Sequence, residues 1–440
     1  MGIFASLLTL TALIISIVAS KKGERLTNPL VLFLGLWTLV LALSVLNPFG
    51  MDSASDTAYF LLIAMISCFT LGFVAFSLLK KKEPSPKKIS HDLPALKDSL
   101  ALKILLALVA IAVILNLIDL AIGLRYILSG TPAWQVRNWS LEPFGSDNPI
   151  LGRRSFVEDV ARVILLSPAS ALMAPVAAYY FFGSKEKKTR NILAAVSVVN
   201  LVTSSLAGGG GRLGYILFAV YYLLAYNHLK HTGSLRKKFN TKKLLVAACV
   251  CGVFVLGFTI IRTGFGNLFK QFSTYFGMPP ALLAKWLPFI GGGAGFTFGL
   301  TTLFGLHSYG FRALKTIGLG AAVPAIYNVA FYNILSAEKF VPMGNGMNYN
   351  AFVTPVYYFF ADGGLIGVIL FSLVFGIICS LLYSSFRKTG DLKHFLLYSL
   401  MVYAILISFM RIQTAIPSFI ISILFVLLLF NKKLFVRKYK

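Results

Sequence analysis

Long apolar runs recur along this chain, and each is close to the length that a helix needs to cross a lipid bilayer. Such a helix takes about 20 residues to span roughly 30 Å of hydrocarbon. Hydrophobic residues make up 57% of the chain and charged residues 13%. A soluble domain carries about 25% charged residues. The sequence therefore predicts a polytopic membrane protein and excludes an ordinary soluble enzyme.

The expected fold class is all-α. We expect a polytopic membrane helical bundle of about 11 transmembrane helices, with a large, partly helical periplasmic segment and a GT-C-like arrangement as one option. Residues 1–440 are treated as one integral membrane domain. The predicted spans lie at 3–20, 30–47, 58–79, 101–124, 156–182, 191–206, 213–228, 244–262, 364–384, 395–411 and 418–431.

Basic residues are concentrated in one of two alternating sets of loops. One set holds 27 of the 41 Lys and Arg residues, and the opposite set holds 12. Short cytoplasmic loops are enriched in basic residues, so the richer set is predicted to be cytoplasmic. The N-terminus is then outside and the C-terminus inside. The net charge of +26 is explained by topology, and nucleic acid is not expected as a partner.

Two long segments fall on the exterior side in this topology, a periplasmic loop at 125–155 and a larger segment at 263–363. The larger one is apolar and rich in glycine. Irregular backbone at membrane depth must be buried in protein or line a wet cavity. The segment is therefore predicted to be periplasmic or re-entrant and to roof the site. An extra hairpin, with spans near 287–306 and 317–335, is the alternative.

Arginine and lysine are sorted by side. The exterior half holds nine Arg and four Lys, whereas the cytoplasmic loops hold five Arg and 22 Lys. A guanidinium group binds phosphate or carboxylate in bidentate fashion and keeps its charge. Arg212, Arg262 and Arg411 lie where predicted helices meet the outer interface, which suggests an external anion. Snorkelling and ion pairs within the protein are the alternative.

Ion pairs are the preferred interpretation for two exterior groups. Arg162 follows Glu158 by four residues, so both lie on one face of a helix. Asp119, within the fourth predicted span, is expected to pair with Arg125 at the same outer end.

Two motifs carry candidate site residues. In the first, four glycines precede Arg212, and Gly210 and Gly211 would let a ligand approach backbone N–H groups at the start of a helix. A tight turn is the alternative. The second runs from Gly344 to Gly364 and is polar and aromatic.

The second motif contains Asn350, Thr354 and Tyr357, whose amide, hydroxyl and ring suit a sugar. Asp362 follows them as a candidate general base. An N-cap for the helix at 364–384 is the alternative for Asp362. His307 and Glu338 are further candidate bases. No metal-binding or nucleotide-binding motif is found in the sequence, and neither a metal site nor a cofactor is expected.

The order of these motifs resembles that of the oligosaccharide repeat-unit polymerases (Wzy-type O-antigen polymerases). The resemblance rests on Gly209, Gly210, Gly211 and Arg212, a large exterior segment, and then Asn350, Thr354, Asp362, Gly364 and Gly367 before a span. It implies an enzyme of the bacterial inner membrane that works at the periplasmic face. Such an enzyme joins polyprenyl-pyrophosphate-linked oligosaccharides into an O-antigen or similar polymer and releases polyprenyl pyrophosphate.

The resemblance also implies roles and partners. Arg212, Arg262 and Arg411 would stabilise the leaving pyrophosphate, with Asp362 or His307 as the base. Arg153, Arg154 and Arg312 would capture the lipid phosphate. Besides the lipid-linked oligosaccharide, membrane lipid and a chain-length regulator protein are expected partners. A lipid-linked glycan ligase and a flippase or transporter of the same lipid are the alternative functions.

Overall fold

The structure is a computed structural model. It describes residues 1–20, 27–79, 93–132, 135–136, 139, 149–150, 154–207, 211–235, 252–253, 257, 268–290, 295–350, 352–389 and 391–431, with the backbone alone at 156, 211, 212 and 268. The prediction for the span at 244–262 falls almost entirely outside these residues.

Helices account for nearly all of the regular structure in the described residues. They are α1 (Gly2–Ala19), α2 (Pro29–Leu46), α3 (Asp56–Leu79), α4 (Leu100–Leu128), α5 (Phe156–Ala161), α6 (Ser167–Gly183), α7 (Lys187–Leu206), α8 (Gly211–His231), α9 (Leu268–Gly277), α10 (Pro279–Trp286), α11 (Phe304–Thr316), α12 (Ala325–Ala337), α13 (Thr354–Thr389), α14 (Leu392–Leu406) and α15 (Pro417–Leu429). A π-helical turn, Arg162–Leu166, joins α5 to α6. Two short antiparallel strands, β1 (Val341–Pro342) and β2 (Asn348–Tyr349), form a hairpin.

Six helices of the described part of the chain are long and apolar enough to cross a membrane. They are α1, α2, α3, α4, the continuous helix Val157–Gly183, and α13. The prediction of an all-α multi-pass membrane protein is therefore confirmed. Of the other predicted spans, two coincide with the 20- and 21-residue helices α7 and α8 and two with the shorter helices α14 and α15.

The large segment at 263–363 contains short helices. Of these, α11 and α12 have 13 residues each, about 20 Å of helix, which is less than the hydrocarbon thickness. Residues 287–289 form a 3-10 turn and 298–303 a run of turns. The extra hairpin at 287–306 and 317–335 is therefore not seen as two spanning helices among the described residues.

The chain divides into two compact units, each built from non-contiguous segments. The first unit comprises Met1–Ser85, Asn267–Lys388 and Leu400–Ile420. The second comprises Pro86–Gly266, Thr389–Ser399 and Ile421–Lys440. In the second unit, α6 packs against α7 and α8, and α4 packs against α7.

The core of the first unit is aromatic. Phe33 of α2 stacks on Phe69 of α3 with ring centroids 3.8 Å apart, and both contact Phe375 of α13. Trp37 is fully buried, and its indole N–H donates to Ser408 Oγ at 3.2 Å. These contacts fix α13 against α2 and α3, and α13 carries the second motif.

Two glycines let α3 and α13 touch along their backbones. A Cβ added at Gly72 would overlap the carbonyl oxygen of Leu373, and one at Gly376 would overlap the carbonyl oxygen of Phe69. Small residues allow this close approach in membrane helices, where van der Waals contact drives association. Gly72 and Gly376 therefore determine how closely α3 and α13 cross.

Candidate functional site

The helix α13 is broken at the acidic residue of the second motif. Gly363 and Gly364 have non-helical backbone angles, and Gly364 has φ of 59° and ψ of −142°. A side chain at Gly364 would be strained by its positive φ and crowded by Phe296. Gly367 has no room for a Cβ because the carbonyl oxygen of Phe359 lies against it. The glycines of the motif thus form the break, which leaves Asp362 at the end of the first half of α13.

Asp362 is 2% exposed, and both of its oxygens are hydrogen-bonded. The backbone N–H groups of Thr301 and Thr302 donate to Oδ1 and Oδ2 at 2.9 and 2.8 Å, and the Thr297 hydroxyl donates to Oδ1. The N–H groups of Thr297 and Phe298 donate to the carbonyls of Ala361 and Asp362. Asp362 therefore binds the turns that precede α11, rather than capping the helix that follows it.

A buried polar network extends from Asp362. The hydroxyls of Thr297 and Thr301 lie 2.6 Å apart, and the Asn333 amide donates to Thr301 Oγ1 at 3.4 Å. The Tyr357 hydroxyl donates to the Asn333 carbonyl at 2.8 Å. Tyr357 was predicted to contact a sugar, but its ring is 1% exposed and its hydroxyl is bonded inside the protein. Sequence patterns gave no signal for the threonines or Asn333.

A second group of predicted residues converges around Glu338, which follows α12. Arg411 Nη1 donates to Glu338 Oε1 at 2.6 Å, and the Asn350 side-chain amide donates to the Glu338 carbonyl at 2.8 Å. The Thr354 N–H donates to the carbonyl of Met410 at 3.0 Å. Residues from three separate segments of the sequence are thus brought together in the first unit. We call Glu338, Asn350, Thr354 and Arg411 the Glu338 cluster.

The Glu338 cluster is partly open. The side chains of Arg411 and Glu338 are 22% and 42% exposed. Tyr358 and Tyr403 lie close enough to Arg411 to interact with it electrostatically. Among the described residues, Glu338 is the one side chain that accepts a hydrogen bond from Arg411. The remaining guanidinium N–H groups are available to a further acceptor.

Thr354 is strained as well as buried. Its φ is 64°, a value that is an outlier for a β-branched residue. The side chain is fully buried, and Oγ1 has no hydrogen-bond partner among the described residues. Backbone strain of this kind costs roughly 1–3 kcal/mol and is found mainly at functional sites.

His307 has a defined hydrogen-bond partner on one ring nitrogen. Nε2 lies 2.9 Å from the carbonyl oxygen of Leu300. Because a carbonyl only accepts, Nε2 carries the proton of a neutral ring, and Nδ1 has the free lone pair. Nδ1 is buried without a partner among the described residues, and the rings of Phe304, Phe311 and Tyr327 surround the imidazole.

A separate ionic cluster lies in the second unit. Asp119 of α4 is 4% exposed and forms ion pairs with Arg154 at 2.8 Å and Arg162 at 3.0 Å. Arg162 also pairs with Glu158 at 2.8 Å, which confirms the predicted pair. Arg154 further contacts Asp159 at 3.7 Å. The prediction that Asp119 pairs with Arg125 is wrong, because the arginines at 154 and 162 fold back onto α4 and Arg125 is exposed.

Several predicted residues cannot be placed in either cluster. Arg153, Gly210 and Arg262 lie outside the described residues, as does the side chain of Arg212. Gly211 is the first residue of α8. Arg312 lies over the rings of Tyr309 and Phe331, 5.9 and 5.4 Å from their centroids. In the described part of the chain, no group of three His, Cys, Asp or Glu residues could hold a metal ion.

Comparison with known proteins gives no relative. The chain matches no protein-family model, no curated protein and no solved structure. Its resemblance to the repeat-unit polymerases rests on the motif residues alone.

Proposed function

We propose that this chain is a membrane glycosyltransferase that joins polyprenyl-pyrophosphate-linked oligosaccharide repeat units into a surface polysaccharide. It would act at the periplasmic face of a bacterial inner membrane. The observation that carries the proposal is the Glu338 cluster. Asn350 and Thr354 were predicted from the second motif and Arg411 from the exterior arginines. Arg411 binds the Glu338 carboxylate, and Asn350 binds the Glu338 backbone carbonyl. The Thr354 N–H binds the carbonyl of Met410, next to Arg411.

Arg411 is assigned to the leaving group. In the reaction, an acceptor hydroxyl oxygen bonds to the anomeric carbon of the donor sugar. The bond from that carbon to the pyrophosphate breaks, and the pyrophosphate leaves with the electron pair. A fixed guanidinium aimed at this developing charge stabilises the transition state more than the ground state. One terminal nitrogen of Arg411 is held by Glu338, which fixes the guanidinium group and leaves its other N–H groups to bind the phosphate.

Glu338 is assigned as the general base that removes the proton of the acceptor hydroxyl. A general base must reach the hydroxyl that it deprotonates. Glu338 is 42% exposed, whereas Asp362 is 2% exposed and is bonded to three donors. We therefore assign Asp362 to positioning, because it ties the first half of α13 to the turns before α11. Asn350 lies beside Glu338 and is the candidate sugar contact. Thr354 is fully buried, so we assign it to positioning the turn that carries Arg411.

The test is turnover of a reconstituted system. Proteoliposomes receive a polyprenyl-pyrophosphate-linked repeat unit, and glycan length and polyprenyl pyrophosphate release are both measured. Arg411→Ala should lower the rate about 100-fold or more, the usual cost of losing such a donor. Arg411→Lys should recover little activity, because lysine lacks the planar fork.

Arg387→Ala is the matched control, since Arg387 lies near the other end of α13 and is predicted to be cytoplasmic. It should retain activity. Glycan transferred to another acceptor without chain growth would favour a ligase. Lipid that crosses the bilayer without chain growth would favour a flippase. Normal chain length from a well-folded Arg411→Ala protein would contradict the proposed role of Arg411.

A further inference from the structure

The segment at 317–325, which comprises the connection between α11 and α12 and the first residue of α12, is apolar along its whole length. It reads Ile-Gly-Leu-Gly-Ala-Ala-Val-Pro-Ala and contains no polar or charged side chain. Ile317 and Leu319 are 67% and 53% exposed. We call this segment the apolar tip. A continuous exposed apolar surface is typical of an interaction site rather than of a loop in water.

Most backbone N–H groups of the apolar tip are hydrogen-bonded. Gly318 has φ of 82°, its N–H donates to the Lys315 carbonyl, and the Leu319 N–H donates to the Leu314 carbonyl. This is the Schellman arrangement that ends a helix. The Ile317 N–H donates to the Ala313 carbonyl of α11, and the N–H groups of Ala322 and Val323 donate to carbonyls within the segment. Backbone groups without a hydrogen bond are costly away from water. A segment in which most N–H groups are bonded can therefore lie at the interface of a bilayer.

Two cations lie at the end of α11, just before the apolar tip. Lys315 Nζ lies 2.9 Å from Asn328 Oδ1 and 5.2 Å from the ring centroid of Tyr327. Arg312 lies over Tyr309 and Phe331. Residues 304–337 contain no Asp or Glu. Both cations are exposed and have no carboxylate partner among the described residues. They are held by rings and remain available to an external anion.

We propose that the apolar tip inserts into the interface of the bilayer and that Arg312 and Lys315 bind the phosphates of anionic phospholipids. Because α11 and α12 are each about 20 Å long, neither spans the membrane. At a bilayer surface, acyl chains lie beneath charged headgroups. The apolar tip would contact the acyl chains, and the two cations on α11 would contact the headgroups. Tyrosines are also enriched at this level. The inference does not depend on the proposed catalytic activity.

Depth-dependent fluorescence tests the insertion. Leu319→Cys is introduced into a full-length protein whose four native cysteines are replaced by alanine, and it is labelled with an environment-sensitive dye. The protein is reconstituted in vesicles of phosphatidylcholine and phosphatidylglycerol. We expect doxyl-labelled lipid to quench the dye several-fold more strongly than at Asn348→Cys, an exposed position on β2.

Aqueous iodide should quench the dye at Leu319→Cys several-fold less strongly than at Asn348→Cys. Iodide quenching equal to that at Asn348→Cys would overturn the proposal by placing the tip in water. Shielding from both quenchers would also overturn it, since the tip would then be covered by protein.

A double variant tests the cations. Arg312→Gln with Lys315→Gln should reduce lipid quenching at Leu319→Cys several-fold in vesicles with phosphatidylglycerol, because two headgroup contacts are lost. Lys187→Gln with Lys188→Gln is the matched control, since both are exposed lysines at the start of α7. The control should not change the quenching. Equal effects of the two double variants would overturn the role of Arg312 and Lys315.

Hydrogen exchange extends the test to the unmodified chain. The N–H groups of Gly320 and Ala321 form none of the hydrogen bonds found for the apolar tip, so they exchange fast in water. In nanodiscs with phosphatidylglycerol, the peptide that covers 317–325 should take up deuterium several-fold more slowly than in phosphatidylcholine nanodiscs. Equal uptake in both would overturn the proposal.

Discussion

Thr354 shows how a single residue can be costly for stability and still be kept at a candidate site. Its φ is positive, and its hydroxyl is buried without a partner in the described structure. Both features oppose folding. Its N–H holds the turn that carries Arg411 through the Met410 carbonyl. Because the hydroxyl is buried, we assign Thr354 to positioning Arg411 rather than to contact with substrate.

Replacing Thr354 by valine tests what the hydroxyl contributes to stability and to activity. Valine keeps the β-branched shape and removes the unpaired hydroxyl, so the free energy of unfolding should be unchanged or rise by roughly 1 kcal/mol. Polymerisation should be retained, because the N–H of residue 354 still binds the Met410 carbonyl and the buried hydroxyl does not reach the sugar. Thermal unfolding in detergent measures the stability, and the reconstituted assay measures the activity. A variant with lower stability and lost activity would contradict both expectations.

Asp362→Asn tests the assignment of Asp362 to positioning. The amide replaces one carboxylate oxygen by a donor, which would face the N–H of Thr301 or Thr302. Losing a hydrogen bond to a charged group costs about 2 kcal/mol. Thermal stability should fall, and residues 295–303 should exchange amide hydrogens faster. If Asp362 acted solely as a base, the variant would lose activity with unchanged stability and exchange.

At the scale of elements, the crossing of α3 and α13 depends on two glycines. The backbones meet where Gly72 and Gly376 face the opposite helix. The same crossing carries the aromatic stack around Phe69. Because α13 also carries Asp362 and Thr354, its position determines where both residues lie.

Gly376→Ala should therefore destabilise the first unit. The added methyl group would overlap the Phe69 carbonyl, and overpacking of this kind costs roughly 1–3 kcal/mol. Gly310→Ala is the control, because Gly310 lies within α11 with open space around it. Alanine there should be neutral or stabilising by up to about 1 kcal/mol. Thermal unfolding of both variants is the measurement, and equal shifts would contradict the close contact.

At the scale of the whole molecule, the distribution of charge predicts an orientation. Loops rich in lysine alternate with loops that hold fewer basic residues, and the positive-inside rule predicts that the lysine-rich loops are cytoplasmic. The N-terminus is then outside and the C-terminus inside, which requires an odd number of crossings.

Reporter fusions check this orientation. Alkaline phosphatase folds only outside the cytoplasm, so a fusion after Lys440 should be inactive and a fusion after Gly346 active. A green fluorescent protein at the C-terminus should fluoresce. Active phosphatase at the C-terminus would reverse the topology and with it the predicted side of the Glu338 cluster.

Local properties of the sequence determined the class of this protein. The length and apolarity of its runs predicted a helical membrane protein and the positions of six spanning helices, because a helix that crosses hydrocarbon must satisfy its own backbone. The predicted start of a helix at 364 coincides with the break in α13 at Gly363 and Gly364, but the helical turns from Thr354 to Asp362 were not predicted. The Arg162–Glu158 pair was also predictable, since residues four apart share a helix face.

Only the tertiary structure decided which side chains meet. Glu338 lies 73 residues from Arg411, and Asp362 lies about 60 residues from the threonines that bind it. The residues around Arg411 and Asp362 in the sequence do not specify these partners, because the contacts depend on how helices from distant segments pack. The sequence could therefore name candidate charges, but the folded backbone determined that Asp362 is enclosed and Glu338 is open.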